Sequence, residues 1–250
     1  MRNIKLTLEY DGTAFHGWQI QPEMRTVQGV LEAVLSQLLQ TDIQVIGSGR
    51  TDAGVHALGQ VANFRTTNPL PLERLHKGLN ALLPDDVVVH QVETVSPAFH
   101  ARFDAYRRCY RYRMTYRPVA IGRAYVWYYP YARLDVSQMQ TAAQLLLGDH
   151  DFQAFCASGS DVAHYRVNVM HQEWQVQEDN LTFEICANRF LRGMVRSLVG
   201  TMVAIGRGKM PISQLQEALE TGQRNLVGPT APPQGLYLTQ VLYPDDVNHS

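Results

Sequence analysis

Gln44-Val45-Ile46-Gly47-Ser48-Gly49-Arg50-Thr51-Asp52-Ala53-Gly54-Val55-His56-Ala57 is the stretch from which the fold is read. Gln44 to Ile46 has the apolar character of a strand, and Gln60 to Arg65 leaves the turn as another. The glycine-rich segment between them therefore joins two strands, and it carries one arginine and one carboxylate, Arg50 and Asp52. Gly47, Gly49 and Gly54 permit backbone angles and close approaches that other residues resist, so a sugar or base could lie against the main chain here. A rigid scaffold presents a reactive acid in this way. Aspartate in a glycine-rich turn is also an ordinary turn former, and the local sequence leaves both readings of Asp52 open.

Upstream, Ile4, Leu6, Leu8 and Tyr10 alternate with Lys5, Thr7 and Glu9, the period-two pattern of a half-buried strand. Asp11 to Arg25 reads as a loop. Val27, Val30, Leu31, Val34, Leu35 and Leu38 then recur at helical spacing behind Thr26, a suitable N-cap. Downstream, Leu72, Leu75, Leu79 and Leu82 predict an amphipathic helix over Pro71 to Leu83, and Val87 to Val92 is an apolar strand. The order is strand, helix, strand, strand, helix, strand.

The pattern recurs after Ser96-Pro97. Strand Arg107 to Tyr116, helix Val136 to Leu147 between Asp135 and Gly148, strands Val167 to Gln177 and Leu181 to Ala187, helix Phe190 to Ile205 and strand Leu236 to Tyr243 follow, with a short helix over Ile212 to Leu219. The pattern repeats, although the sequence does not. The fold class expected is α+β: two pseudo-repeated β-α-β-β-α-β halves forming a mixed, largely antiparallel sheet with helices packed on it. The halves divide at 1–105, which carries the Asp52 loop, and 106–250, which carries an arginine- and tyrosine-rich strand and an arginine-bearing helix.

A chain of 250 residues with 45% hydrophobic residues can bury a substantial core. Its apolar runs break at Arg, Gln or Gly well short of the roughly 18 residues a membrane span needs, and Met1-Arg2-Asn3 leads straight into a strand pattern. The expectation is a cytoplasmic protein without a signal peptide. Cys109, Cys156 and Cys186 lack paired spacing and are expected to be buried reduced thiols. The nine histidines form no His-x-x-x-His pair, so no metal site is expected and His56 reads as a structural residue of the turn. Gly47-x-Gly49 is followed by neither the third glycine nor the helix of a dinucleotide fingerprint, and no nucleotide cofactor is expected.

The formal net charge of −1 argues against a protein that coats nucleic acid nonspecifically. That average conceals a segregation. Between Arg102 and Arg117, the arginines at 102, 107, 108, 111, 113 and 117 face one acid, Asp104, with Tyr106, Tyr110, Tyr112 and Tyr116 interleaved. A second acid-free stretch holds Arg189, Arg192, Arg196, Arg207 and Lys209. Cations with interleaved aromatics suit phosphate contact and base stacking, and also an ordinary exposed strand face. Alternation sends Tyr110 and Tyr112 to one face and Arg111 and Arg113 to the other, a pattern that fits core packing as well as a site. Arg196 lies in Met194-Val195-Arg196-Ser197-Leu198-Val199, apolar over most of a helix circumference; a part-buried guanidinium there requires an anionic partner. Arg189, Arg192 and Arg196 at i, i+3 and i+7 would equally make an exposed basic stripe.

The string Gly49-Arg50-Thr51-Asp52-Ala53-Gly54-Val55-His56-Ala57 resembles the signature of the tRNA pseudouridine synthase A family. The resemblance continues through His100-Ala101-Arg102-Phe103-Asp104, Tyr110-Arg111-Tyr112, Asp151-Phe152-Gln153-Ala154-Phe155, Phe190-Leu191-Arg192-Gly193-Met194-Val195-Arg196 and Ala231-Pro232-Pro233-Gln234-Gly235-Leu236. It implies the pseudouridine synthase fold and a cofactor-free isomerisation of uridine to pseudouridine at positions 38, 39 and 40 of the tRNA anticodon arm, by a homodimer. It further implies Asp52 as the nucleophile, Arg196 as its salt-bridge partner, and Tyr110 as a residue that stacks on the target base and could relay a proton. Arg50 would intrude at the flipped nucleotide, and Arg111 and Arg166 would contact RNA. Ser158-Gly159-Ser160 departs from the pattern as it continues into Ala163-His164-Tyr165-Arg166-Val167-Asn168, where the related sequences have Arg followed by Thr or Glu. Two other classes remain open. A glycosidic hydrolase would need a second carboxylate across the substrate, for which no candidate is visible. A noncatalytic RNA-binding protein of the same fold would gain nothing from a carboxylate among phosphate-binding residues.

Overall fold

The structure, a computed structural model, describes residues 1–159 and 162–244. Ser160 of the Ser158-Gly159-Ser160 block and residues 245–250 of the expected second half lie outside the described residues. The chain divides into two compact units: Met1–Tyr106 joined by the segment that begins at Tyr237, and Arg107–Leu236.

The first unit contains β1 (Arg2–Tyr10), α1 (Val27–Leu39), β2 (Ile46–Gly47), β3 (His56–Thr66), α2 (Leu72–Leu82) and β4 (Val87–Val95). Its sheet runs β4-β1-β3 and then takes the last strand, β10 (Leu236–Leu242), beside β3; β2 also pairs with β3. β1 is antiparallel to both β3 and β4, whereas β10 is parallel to β3, Tyr237 facing His56 and Leu238 facing Ala57. The alternation in β1 works as read: Ile4, Leu6 and Leu8 are fully buried, as are Leu31 and Leu35 of α1 and Leu75 and Leu79 of α2. Thr26 caps α1 by accepting from the Gly29 N–H at 3.3 Å. The expected strand at Gln44 to Ile46 shrinks to the two residues of β2, and β3 begins at His56, inside the glycine-rich segment. A neighbouring strand, which one segment cannot disclose, sets where pairing starts.

The second unit contains β5 (Arg107–Thr115), β6 (Trp127–Tyr128), α3 (Val136–Gln144), β7 (Gly148–Asp151), β8 (Arg166–Gln177), β9 (Asn180–Ala187), α4 (Met194–Gly206) and α5 (Ile212–Thr221). The order β5-β9-β8-β7 is antiparallel throughout, with the short β6 parallel to β5. Tyr112, Phe183, Ile185, Met139, Leu198, Met202 and Leu215 make its core, each fully buried. β6 and β7 carry no recognisable strand pattern in the sequence. α3 stops at Gln144, short of the expected Leu147, and Gly148 opens β7 with φ 93° instead of ending the helix.

Two expectations are overturned. The helix expected from Phe190 begins at Met194, because Gly193 takes the left-handed conformation, φ 69°, which interrupts helical hydrogen bonding. Arg189 and Arg192 therefore precede α4, and the stripe they would have formed with Arg196 does not exist. The three cysteines are not all reduced. Cys109 and Cys186 are register partners on β5 and β9, with Cα atoms 4.1 Å apart, and form a disulfide. Cys156 is free and buried. A separation of 77 residues hides that pairing from the sequence.

Candidate active site

Asp52 is held by its own unit from two sides. Below it, Thr51 is buried at 6% exposure, and its Oγ1 lies 2.8 Å from the Tyr10 hydroxyl at the end of β1. Gln60 of β3, fully buried, donates from Nε2 to the Gly49 carbonyl at 3.0 Å and accepts at Oε1 from the Ser48 hydroxyl at 2.6 Å. Above it, the loop before α1 folds over the turn: the Trp18 N–H donates to the Thr51 carbonyl at 3.1 Å, and the Gly54 N–H donates to Phe15 at 3.3 Å. Gly17, at φ 90°, lets that loop pass so closely that a Cβ there would sit 2.6 Å from the Thr51 carbonyl oxygen. Val55 N–H closes the turn onto the Asp52 carbonyl at 3.1 Å, with Gly54 at φ 75°. The backbone of Asp52 is thus fixed by strands β1 and β3 and by a loop, while its side chain is half-exposed and Arg50 is exposed. A carboxylate on an immobilised turn is preorganised for attack on a reacting carbon.

His56 is structural, as read. It is 2% exposed, its Nδ1 accepts from the Gly12 N–H at 3.0 Å, and its ring stacks on Tyr237 with centroids 4.9 Å apart.

The second unit carries Tyr110 and Arg196. Tyr110 on β5 is 8% exposed and meets the Phe190 ring edge-on at 5.0 Å. Arg196 is half-buried in the first turn of α4, where its Nε donates to the Ala231 carbonyl at 2.8 Å and its own carbonyl accepts from the Ala231 N–H at 3.0 Å. The neighbouring Tyr112 hydroxyl donates to the Pro232 carbonyl at 2.7 Å. Burial pushes the Tyr112 hydroxyl far above the ordinary phenol range, partly opposed by the Arg196 charge, so it remains a proton donor. The segment from Ala231 to Pro232 is thereby tied to both α4 and β5.

Arg111 and Arg113 are exposed, on the face of β5 opposite Tyr110 and Tyr112. Arg111 pairs with Glu184 on β9 at 2.7 Å, and Arg166 pairs with Asp149 at 2.8 Å. Arg50 and Asp52 thus share one turn, Tyr110 and Arg196 belong to the second unit, and Arg111 and Arg166 are each held by a carboxylate. Sequence reasoning missed Tyr10, Trp18 and Gln60 around Asp52. The alternation in β1 assigns Tyr10 to the core, and nothing local marks its hydroxyl as bonded to residue 51. Among the described residues, no group of three or more His, Cys, Asp or Glu is arranged to hold a metal ion, and no helix is long and apolar enough to cross a membrane.

Comparison with known proteins places these features in a family. A family described as "tRNA pseudouridine synthase" matches residues 7–104 and 142–244. The tRNA pseudouridine synthase A of Thermoanaerobacter sp. (strain X514) is 43% identical over 245 residues, covering 97% of this chain and 100% of that protein. The protein of the same name from Geobacillus sp. (strain WCH70) is 46% identical, covering 97% and 98% respectively. The one from Ruminiclostridium cellulolyticum is 44% identical, covering 97% and 100%. Among solved structures, a chain of a Cbf5-Nop10-Gar1 complex aligns with TM-score 0.34 and 12% identity over 80% of this chain and 54% of that one.

Proposed function

The chain belongs to the tRNA pseudouridine synthase family, and from that premise we propose that it isomerises uridine to pseudouridine in tRNA, at positions 38, 39 and 40 of the anticodon arm. The observation that carries this reading is Asp52, the one carboxylate in a turn clamped on both sides, inside a sequence related to named tRNA pseudouridine synthases along nearly its whole length.

The reaction breaks the N1–C1′ bond of uridine, turns the base in place and joins C5 to C1′; the C5 proton leaves and N1 ends protonated. Atoms balance without a co-reactant, so the residues need only supply a nucleophile, a proton path and a grip on the nucleotide. Asp52 is the nucleophile, by attack on C1′ of the ribose or on C6 of the base. Arg196 serves as its salt-bridge partner, a role its half-buried place in an apolar helix supports, because an arginine so situated needs an anion. Tyr110 stacks on the base and is the candidate to relay the C5 proton. The target must leave its stack, which costs a few kcal/mol, and Arg50 fits the role of entering the vacated space because it is exposed on the same turn. Arg111 and Arg166 would contact phosphate by exchanging Glu184 and Asp149 for RNA; solvent-screened ion pairs add little stability, so that exchange is inexpensive. The enzyme would act as a homodimer on cytoplasmic tRNA.

The test is release of tritium from C5-labelled uridine in whole-cell tRNA by wild type and Asp52→Asn, with RNA binding measured alongside. Release by wild type alone, with binding retained by both, is the expected result. Binding without release by wild type would identify a noncatalytic RNA-binding protein of this fold instead.

A further inference from the structure

We infer that Tyr10 and Gln60 are positioning residues for catalysis: a buried hydrogen-bond relay from Gln60 through the Tyr10 hydroxyl to Thr51 sets the placement of the Asp52 carboxylate. The inference rests on the reading of Asp52 as nucleophile.

The direction of each bond that Gln60 makes in the relay follows from the donor inventory. Gln60 Oε1 accepts from the Ser48 hydroxyl at 2.6 Å and from the Val61 N–H at 3.2 Å, which fixes which end of the amide is oxygen. Nε2 must then use its two hydrogens on the Gly49 carbonyl at 3.0 Å and the Tyr10 oxygen at 3.4 Å. An amide N–H only donates, so the Tyr10 oxygen accepts there, and the same oxygen shares a hydroxyl–hydroxyl bond of 2.8 Å with Thr51 Oγ1, in which either group can donate. Burial pushes the Tyr10 hydroxyl to about 12, so the relay keeps one protonation state throughout the neutral range.

A relay of this kind is more than the strands need for stability. Tyr10 already fills core volume with its ring, which lies 6.2 Å from that of Trp18, and β1 is already paired on both edges. Its hydroxyl and the Gln60 amide instead reach the Thr51 side-chain hydroxyl and the Gly49 carbonyl, on the two residues that flank Arg50 and lead into Asp52. Fully satisfied buried networks specify one arrangement of the atoms they join, because each alternative leaves a polar group unpaired. Here the arrangement specified is that of the turn bearing Asp52, and displacing a reacting group by 1 Å can cost about 100-fold in rate.

The experiment uses Tyr10→Phe and Thr51→Val, nearly isosteric changes that delete one hydroxyl from opposite ends of the same bond, and the double variant. Tritium release under saturating and limiting tRNA separates kcat from KM, and thermal melts monitor folding. The expected result is a fall in kcat of about 10- to 100-fold for each single variant, with KM for tRNA within about twofold, and a double variant no worse than the poorer single because both break one contact. Thr51→Ser, which restores the hydroxyl, recovers most of the loss. Unchanged kcat in folded Tyr10→Phe, or losses that multiply in the double variant, would overturn the relay. Should Tyr10→Phe fail to fold, Thr51→Val and Thr51→Ser read the same bond from its other end. Asp52→Asn in the same assay separates the two ideas. Its inactivity beside a fully active Tyr10→Phe sinks the relay alone, whereas full activity of Asp52→Asn sinks both.

Discussion

Replacing Gly200 by alanine sets two effects of opposite sign against each other. Gly200 lies in the interior of α4, where the intrinsic preference of alanine over glycine for helix is about 1 kcal/mol in favour of the variant. A Cβ at this position would sit 1.7 Å from the Pro229 carbonyl oxygen, 2.8 Å from its carbon and 3.1 Å from the Ala231 nitrogen. Ordinary contact requires about 3.5 Å, so the segment must retreat by about 1.5 Å or more. That segment is backbone, which cannot rotate aside, and it is bonded to α4 at several points. Gly228 N–H donates to Thr201 Oγ1 at 3.0 Å, Ala231 N–H to the Arg196 carbonyl at 3.0 Å, and Arg196 Nε to the Ala231 carbonyl at 2.8 Å. Overpacking costs about 1–3 kcal/mol, and each of the three bonds, if lost, about 1 kcal/mol. The steric effect therefore wins, with a net loss of about 2–5 kcal/mol. At about 2–4 °C per kcal/mol for a chain of this size, Tm should fall by about 4–20 °C in a calorimetric scan. Gly78→Ala in α2 is the matched comparison, since its nearest neighbours are the Leu38 methyl groups at 3.0 and 3.5 Å, ends of a flexible side chain. It should melt within about 4 °C of wild type, on the side of higher stability. A Gly200→Ala protein that melts at or above the wild-type temperature would refute the reasoning.

Thr26→Ala removes the side-chain acceptor for the Gly29 N–H and should cost about 1 kcal/mol, read as a Tm lower by about 2–4 °C; an unchanged melt would mean the cap is replaced by water at no cost. Unfolding without reductant should expose one titratable thiol, Cys156, and unfolding after reduction three; three in the first titration would place Cys109 and Cys186 as thiols after all. Tyr10 ionises near 10 when unfolded and at about 12 when folded, so the folded state binds its proton more tightly. Its contribution of roughly 2–3 kcal/mol is fully present below pH 10 and lost as pH rises from about 10 to 12. Tyr10→Phe should flatten that limb of the stability profile, and an unchanged limb would assign alkaline unfolding to other groups.

The sequence by itself determined what depends on neighbours three or four residues away, or on alternate residues. The helices behind Thr26 and Asp135 are capped by those side chains, the strand starting with Ile4, Leu6 and Leu8 buries them, and Arg111 and Arg113 emerge on the face opposite Tyr110 and Tyr112. Backbone geometry fixes those relations locally, at 3.6 residues per turn or two per pleat. Asp52 was legible as a reactive candidate for the same reason, since the glycine-rich turn and its carboxylate are contiguous. Relations set by sheet register were decided only in the tertiary structure. Cys109 meets Cys186 across 77 positions, Tyr10 meets Thr51 across 41 and Gln60 across 50, and no local pattern encodes which residues of two strands will stand opposite each other. The late start of α4 belongs with them: glycine tolerates a helical as well as a left-handed backbone, and the surroundings of Gly193 made the choice that leaves Arg196, without Arg189 and Arg192, on the helix.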